Sequence, residues 1–234
     1  MKKTIFSLLF FMVVAAAMNH AVAQESTDIR NTIVYRIQKG IYNRALKYND
    51  VPVATNALYN LCIMESQNDS LLFALGYMYF DNQKYLSAAL TLTDVLMLNS
   101  GNVSALEMKA LSLEQIGAKD KALEDYETLY LKTNNINFLY KMAVFQYDLQ
   151  RLKEAKTNID IMLTNKEADS IKYYFPNKEN EQQEVVMRAS LHNLKGMVAK
   201  SEGNNEEAKK QFAIALEIDP EFFIARNNLE ELQK

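Results

Sequence analysis

Residues 194–220 read LKGMVAKSEGNNEEAKKQFAIALEIDP, and this stretch decides the fold. Gly196 lies in an apolar pattern of helical spacing with Leu191, Leu194 and Val198. Gly203 stands seven residues on, where a helix through Gly196 must end, because glycine accepts the left-handed backbone that closes a helix. Asn204-x-x-Glu207 has the spacing of a capping box that opens a second helix. Asp219-Pro220-Glu221 reads as N-cap, first-position proline and first-turn acid of one more helix.

The same ruler runs outward along the chain. Gly76, Ala110, Ala143 and Gly196 each lie in an apolar helical pattern, and twelve residues after each comes Ala88, Ala122, Ala155 or Ala208. Four further on stand Leu92, Tyr126, Ile159 and Phe212, and three beyond those Val95, Leu129, Met162 and Ala215. The first three copies are 34 and 33 residues apart, and an earlier one, with Tyr42, Ala54, Leu58 and Leu61, precedes them by 34. Helix-hairpin packing explains the ruler. Two antiparallel helices approach closely only where both carry small side chains, and the bulky residue beyond fills the groove beside them.

This 34-residue pattern of small residue, alanine, aromatic or leucine, small or apolar residue and turn proline resembles the tetratricopeptide repeat. The copy around Gly196 fits best, and Tyr42 departs from the pattern where a small residue belongs. The resemblance implies an all-α, right-handed superhelical solenoid of helical hairpins with a C-terminal capping helix. Its expected divisions are a signal peptide at 1–23, the start of the first helix at 24–34, a degenerate hairpin at 35–68, and repeats at 69–102, 103–135 and 136–169. An insert at 170–188, a repeat at 189–222 and a capping helix at 223–234 complete it. Ile29, Ile33, Ile37 and Ile41 keep helical spacing and begin the array.

In such arrays the first helices line a concave groove that holds a peptide. The resemblance places Phe73, Tyr77, Phe80, Glu107, Leu111 and Glu114 there, with Tyr140, Val144, Tyr147, Asn193, Met197 and Lys200 further along. Lys39, Asn43 and Lys47 are the first copy's share. Tyr77, Tyr140 and Tyr147 form the expected contact surface, since tyrosine gives large area at small entropic cost. Phe73 and Phe80 serve equally well as packing against a neighbouring helix. The family's carboxylate clamp fails here: Lys39 and Asn43 imitate its start, but Ala74, Ser104 and Met108 follow.

Between Ala143 and Gly196 the spacing exceeds one repeat by 19 residues, and the excess falls near 170–188. It starts Ile171-Lys172-Tyr173-Tyr174-Phe175-Pro176 and continues with a polar run. Proline disfavours helix before it, and from Glu181 a helix can restart with Met187, Leu191, Leu194 and Val198 on one face. An extended first helix with a loop folded back on the array is the expected structure. An interaction loop anchored by Tyr173, Tyr174 and Phe175 is the functional alternative.

Composition limits the chemistry. Six Gly and three Pro are too few for a turn-rich β architecture. Cys62 is the only cysteine, which excludes an intramolecular disulfide and a cysteine-based zinc cluster. Lys2 and Lys3, the apolar run from Ile5 to Met18 and Ala21-Val22-Ala23 form a secretory leader cut before Gln24. Its loss removes His20, so His192 is the only mature histidine, and takes two bases but no acid from a chain of net charge −3. A mildly acidic, well-mixed chain has no footprint for nucleic acid. No phosphate loop is possible, since the nearest glycines are seven residues apart, and no Gly-x-Ser-x-Gly elbow is present.

The expectation is therefore a non-catalytic scaffold without cofactor or metal. It is exported to a periplasm or medium, does not span a membrane after cleavage, and binds envelope proteins or peptides. The alternative is a small-molecule or glycan-binding module on the Tyr-rich surface. The oligomeric state is open at this stage.

Overall fold

The computed structural model describes residues 31–233. The leader at 1–23 and the segment up to residue 30, Ile29 included, lie outside the described residues. Helices α1 (31–47), α2 (Val51–Met64), α3 (Asp69–Asp81), α4 (Tyr85–Leu98), α5 (Val103–Gln115) and α6 (Lys119–Thr133) follow in order. Then come α7 (Ile136–Asp148), α8 (Leu152–Thr164), a 3-10 turn (Lys166–Asp169), β1 (Lys172–Pro176) and β2 (Gln182–Val186). Helices α9 (Met187–Ser201), α10 (Asn205–Ile218) and α11 (Phe223–Glu231) end the chain. The described helices form two units, one ending at Ser100 and the other starting at Gly101.

The ruler is a packing rule. Ala54, Ala88, Ala122, Ala155 and Ala208 are all fully buried, as are Leu58, Leu92, Tyr126, Ile159 and Phe212 four residues later. The small residue on the preceding helix is required where the partner is large. A Cβ on Gly196 would lie 2.4 Å from the Phe212 ring, and one on Gly76 would lie 2.9 Å from Leu92.

Each hairpin turns in the same way. Asn49, Gln83, Gly117, Gln150 and Gly203 stand seven residues after the start of the ruler, and all five have positive φ between 55° and 78°. The next amide closes the first helix: Asp50 N donates to Ala45 O, Lys84 N to Tyr79 O, Ala118 N to Leu113 O, Arg151 N to Gln146 O and Asn204 N to Ala199 O, at 2.8–2.9 Å. These are the long closing bonds of a Schellman end. The copy with Tyr42 shares them, so α1 and α2 are a hairpin of the same kind, with Tyr42 half-buried in their core.

Asparagines start the first helices. Asn68 accepts from Leu71 N at 3.2 Å, Asn102 from Ala105 N at 3.0 Å and Asn135 from Asn137 N at 2.9 Å. Asn204 accepts from Glu207 N at 3.1 Å and opens α10, as its spacing suggests. Asp50 caps α2, whose first turn holds Pro52.

Two expectations are corrected here. The insert is a β-hairpin, without an extended helix or a restart at Glu181. β1 and β2 pair antiparallel with Tyr173 opposite Val185 and Phe175 opposite Gln183, and the helix starts at Met187. Alternation decides it: Tyr173 and Phe175 are half-buried while Lys172 and Tyr174 are exposed, a period of two. Asn177 Oδ1 accepts from the amides of Glu179 and Glu181 and shapes the turn. Arg188 ties the hairpin's base to α8, donating to Leu163 O at 2.7 Å, Asn165 O at 3.1 Å and the Asp169 carboxylate.

Asp219-Pro220-Glu221 does not open the last helix. The Asp219 amide still closes α10 by donating to Ala215 O at 2.9 Å, and α11 starts three residues after Pro220. Phe222 lies between them in extended backbone, its side chain fully buried with Val185, Ala189, Ala215 and Ala225.

Candidate functional site

The first helices of the second unit lie side by side and form one surface. Lys141 of α7 donates to Glu114 of α5 at 2.8 and 3.1 Å, and Tyr126 of α6 donates its hydroxyl to the same carboxylate at 2.7 Å. Burial and the Glu114 charge push the Tyr126 phenol far above its ordinary value, so it remains a donor. Ser201 at the end of α9 donates to the Tyr147 hydroxyl oxygen at 3.5 Å, which joins α9 to α7. Around this frame Glu107 is exposed, and Leu111, Val144 and Tyr147 are half-buried.

Tyr140 is not on that surface. Its ring stacks on Tyr173 of β1 with centroids 4.4 Å apart, and burial raises its pKa. Tyr173 in turn donates to Asn137 of α7 at 2.8 Å, and Phe175 packs against Phe222 at 5.2 Å. Two of the three aromatics read as an interaction anchor are thus spent on holding the hairpin to its own array. Tyr174 alone is exposed, donating to Glu184 at 3.0 Å.

The last hairpin's contribution is covered as well. Asn193 is buried, accepting from Asn228 of α11 at 2.8 Å. Met197 packs into the cluster of Ala199, Ala208 and Phe212 with Leu229 of α11 and Leu232 just beyond it, and Lys200 pairs with Glu231 at 2.8 Å. Position within a repeat marks these residues for a groove, but here the C-terminal helix occupies it. Sequence reasoning missed Lys141 and Ser201. The signal for Lys141 was its place one residue beyond Tyr140, on the turn that faces the preceding hairpin.

In the N-terminal unit Tyr77 is exposed, Phe73 is half-buried, and Phe80 meets Tyr85 edge-on at 5.5 Å, which is a packing role. Lys39, Asn43 and Lys47 are exposed on α1. Cys62 is buried, and burial pushes its thiol up to about 11. His192 is half-buried with Nδ1 2.7 Å from Gln211 Oε1, and burial lowers its pKa. Among the described residues no group of three His, Cys, Asp or Glu could hold a metal ion, and no helix is long and apolar enough to cross a membrane.

Residues 189–222 match the family model of the tetratricopeptide repeat. None of the curated proteins compared by sequence matches the chain. Among solved structures, the chain is similar to YrrB, described as a TPR protein with an unusual peptide-binding site. The TM-score is 0.63 at 14% identity over 81% of this chain and 88% of that one. A tetratricopeptide repeat protein from Parabacteroides merdae gives 0.61 at 22% identity, over 85% and 72%. A MamA protein gives 0.60 at 16% identity, over 80% and 92%. These likenesses establish the fold.

Proposed function

We propose that this array of tetratricopeptide-like hairpins is a non-catalytic, exported scaffold that holds a protein or peptide partner. The partner lies on the first-helix face of the second unit, at Glu107, Leu111, Val144 and Tyr147. The observation that carries the proposal is the tie between Glu114 and Lys141, which sets α5 and α7 side by side. It leaves two half-buried aliphatic side chains and a half-buried tyrosine between an exposed acid and a bridged lysine. Such a mixture fits an extended segment with apolar side chains and a basic residue. YrrB, similar in fold, is described as having a peptide-binding site, which supports the class of partner.

The face is short. Tyr173 and α11 close it at Tyr140 and Asn193, so the segment held is shorter than the whole array would allow. Export rests on the leader read at 1–23, and the mass of the mature N-terminus tests it, with Gln24 expected first. Photocrosslinkers at Leu111 and Val144 test the face. A discrete adduct lost on Tyr147→Ala supports the reading, while adducts from Tyr174 alone would move the partner to the hairpin.

A further inference from the structure

Helix α1 and the groove between α2 and α4 are complementary, though they belong to the same chain. The outward face of α1 carries Ile33, Ile37 and Ile41, one per turn and all exposed. Gly40 lies on that face, three residues from Ile37 and seven from Ile33. Glycine inside a helix is a cost that packing usually explains. Gly76 and Gly196 have Leu92 and Phe212 pressed against them, but a Cβ on Gly40 would meet nothing within 4 Å. A missing side chain on an exposed apolar face lets another helix approach closely. The same helix carries Arg36, Lys39, Arg44 and Lys47 and no acid.

The groove has the opposite character. It is a cavity of about 670 Å³ floored by Leu72, Leu75 and Tyr79 of α3, with Tyr59 and Ile63 on one wall and Leu90 and Met97 on the other. The repeat shows that these walls are unusual. Fourteen residues into the ruler, where this copy has Leu90, the later ones have Glu124, Thr157 and Lys210. Glu65, Asp69, Asp81 and Asp94 surround it in sequence with only Lys84 opposing, and Asp94 lines the groove itself. The 14 residues of α2 and of α4 make walls about 21 Å long, and the 17 residues of α1 run to about 25 Å.

We propose that copies of this chain associate by seating α1 of one in the α2–α4 groove of another. The isoleucines enter the apolar trough, Gly40 allows close approach, and the basic flank meets Asp94 in a segment whose charge is mostly acidic. The occupant is thus a second copy, met through a surface separate from the partner face of the second unit.

Sedimentation velocity of the chain from Gln24, up to about 100 μM, tests it, with Ile37→Asp and Leu90→Asp as variants. Ile37 and Leu90 are 54% and 62% exposed, so both variants should keep the wild-type melting temperature. The wild type should self-associate. Each variant alone should weaken this by at least about tenfold, and a mixture of the two should form a 1:1 complex through the one intact α1 and the one intact groove. A wild type monomeric throughout overturns the proposal, as does association that Leu90→Asp leaves unchanged. As a measurement independent of affinity, Ile37→Cys mixed with Leu90→Cys should crosslink with a short bis-maleimide. No crosslink between these exposed thiols would equally overturn it.

Discussion

The two units share a ruler but finish their surfaces differently. In the N-terminal unit large apolar side chains stand exposed on all four helices, among them Ile33, Ile37, Ile63, Tyr77, Leu90 and Met97. In the C-terminal unit Glu124, Thr157 and Lys210 stand where Leu90 does, fewer large apolar side chains are exposed, and the ends are dressed. The ion pairs among the described residues, from Lys109–Asp125 to Lys200–Glu231, join groups of this unit. A β-hairpin covers Tyr140 and a terminal helix covers Asn193. A repeat array must cover or dress each face that has no neighbouring repeat. One unit does so internally, while the other leaves large apolar side chains exposed among the described residues.

Removing the cover should break this difference with the largest effect. Phe222 is fully buried and bridges Phe175 of the hairpin to Ala189 of α9 and Ala215 of α10. Phe222→Ala should cost about 3–5 kcal/mol by the transfer and cavity terms of a buried aromatic. Hydrogen exchange should show the loss across α9–α11 and the hairpin, with α2–α4 as protected as before. If protection fell equally in both units, they would be one cooperative block.

The hairpin gives the next largest contrast within a few residues. Tyr173→Ala removes the stack on Tyr140 and the bond to Asn137 and should cost about 2 kcal/mol. Tyr174→Ala, on the outward face, should stay within about 0.5 kcal/mol. Chemical denaturation of both variants checks the order. Equal effects would mean that the strand does not pack by alternation.

The interior was legible in the sequence because size alone writes it. Ala88 against Gly76, or Phe212 against Gly196, has few substitutes at a close helix contact, so the spacing survives in residue types. The caps were equally available: Asn68, Asn102 and Asn135 recur at the array's own intervals. The left-handed turn was not, because Asn49, Gln83 and Gln150 occupy a place where only Gly117 and Gly203 announce it. The β-hairpin was hidden because Tyr173, Tyr174 and Phe175 are apolar in succession, and only burial shows their alternation. Candidate site residues fared worst at the end of the array. A repeat pattern says which position faces the groove, but not that Asn228 or Leu229 will be lying in it.

The interior packing offers a test on which the two units should differ only modestly. Gly196→Ala forces a methyl against three atoms of the enclosed Phe212 ring, whereas Gly76→Ala meets the branched end of Leu92. After the roughly 1 kcal/mol that alanine returns in helix propensity, Gly196→Ala should still cost about 1–2 kcal/mol and Gly76→Ala close to nothing. Melting of the two variants decides it. If Gly76→Ala proved as damaging, the N-terminal interior would be as rigid as the other, and the contrast would rest on surfaces alone.

The smallest effect tests how the second unit handles buried charge. Asp125 is buried on α6, with Oδ1 2.8 Å from Lys109 Nζ and Oδ2 without a partner. Burial pushes its carboxyl above the ordinary carboxylate range, and Lys109 offsets only part of that. The native state therefore holds this proton at pH values where the unfolded chain has released it. Stability from this group is fully present below the unfolded pKa, near 4, and is lost as pH rises through the higher native value. Asp125→Asn carries no such titration. The stability of the wild type relative to Asp125→Asn should rise as pH is lowered from 7 towards about 4 and then level off. Denaturant titrations of both chains over that range check the sign. A difference that fell on acidification would mean that Lys109 overcompensates for burial, making this ion pair a net stabiliser of the dressed unit at neutral pH.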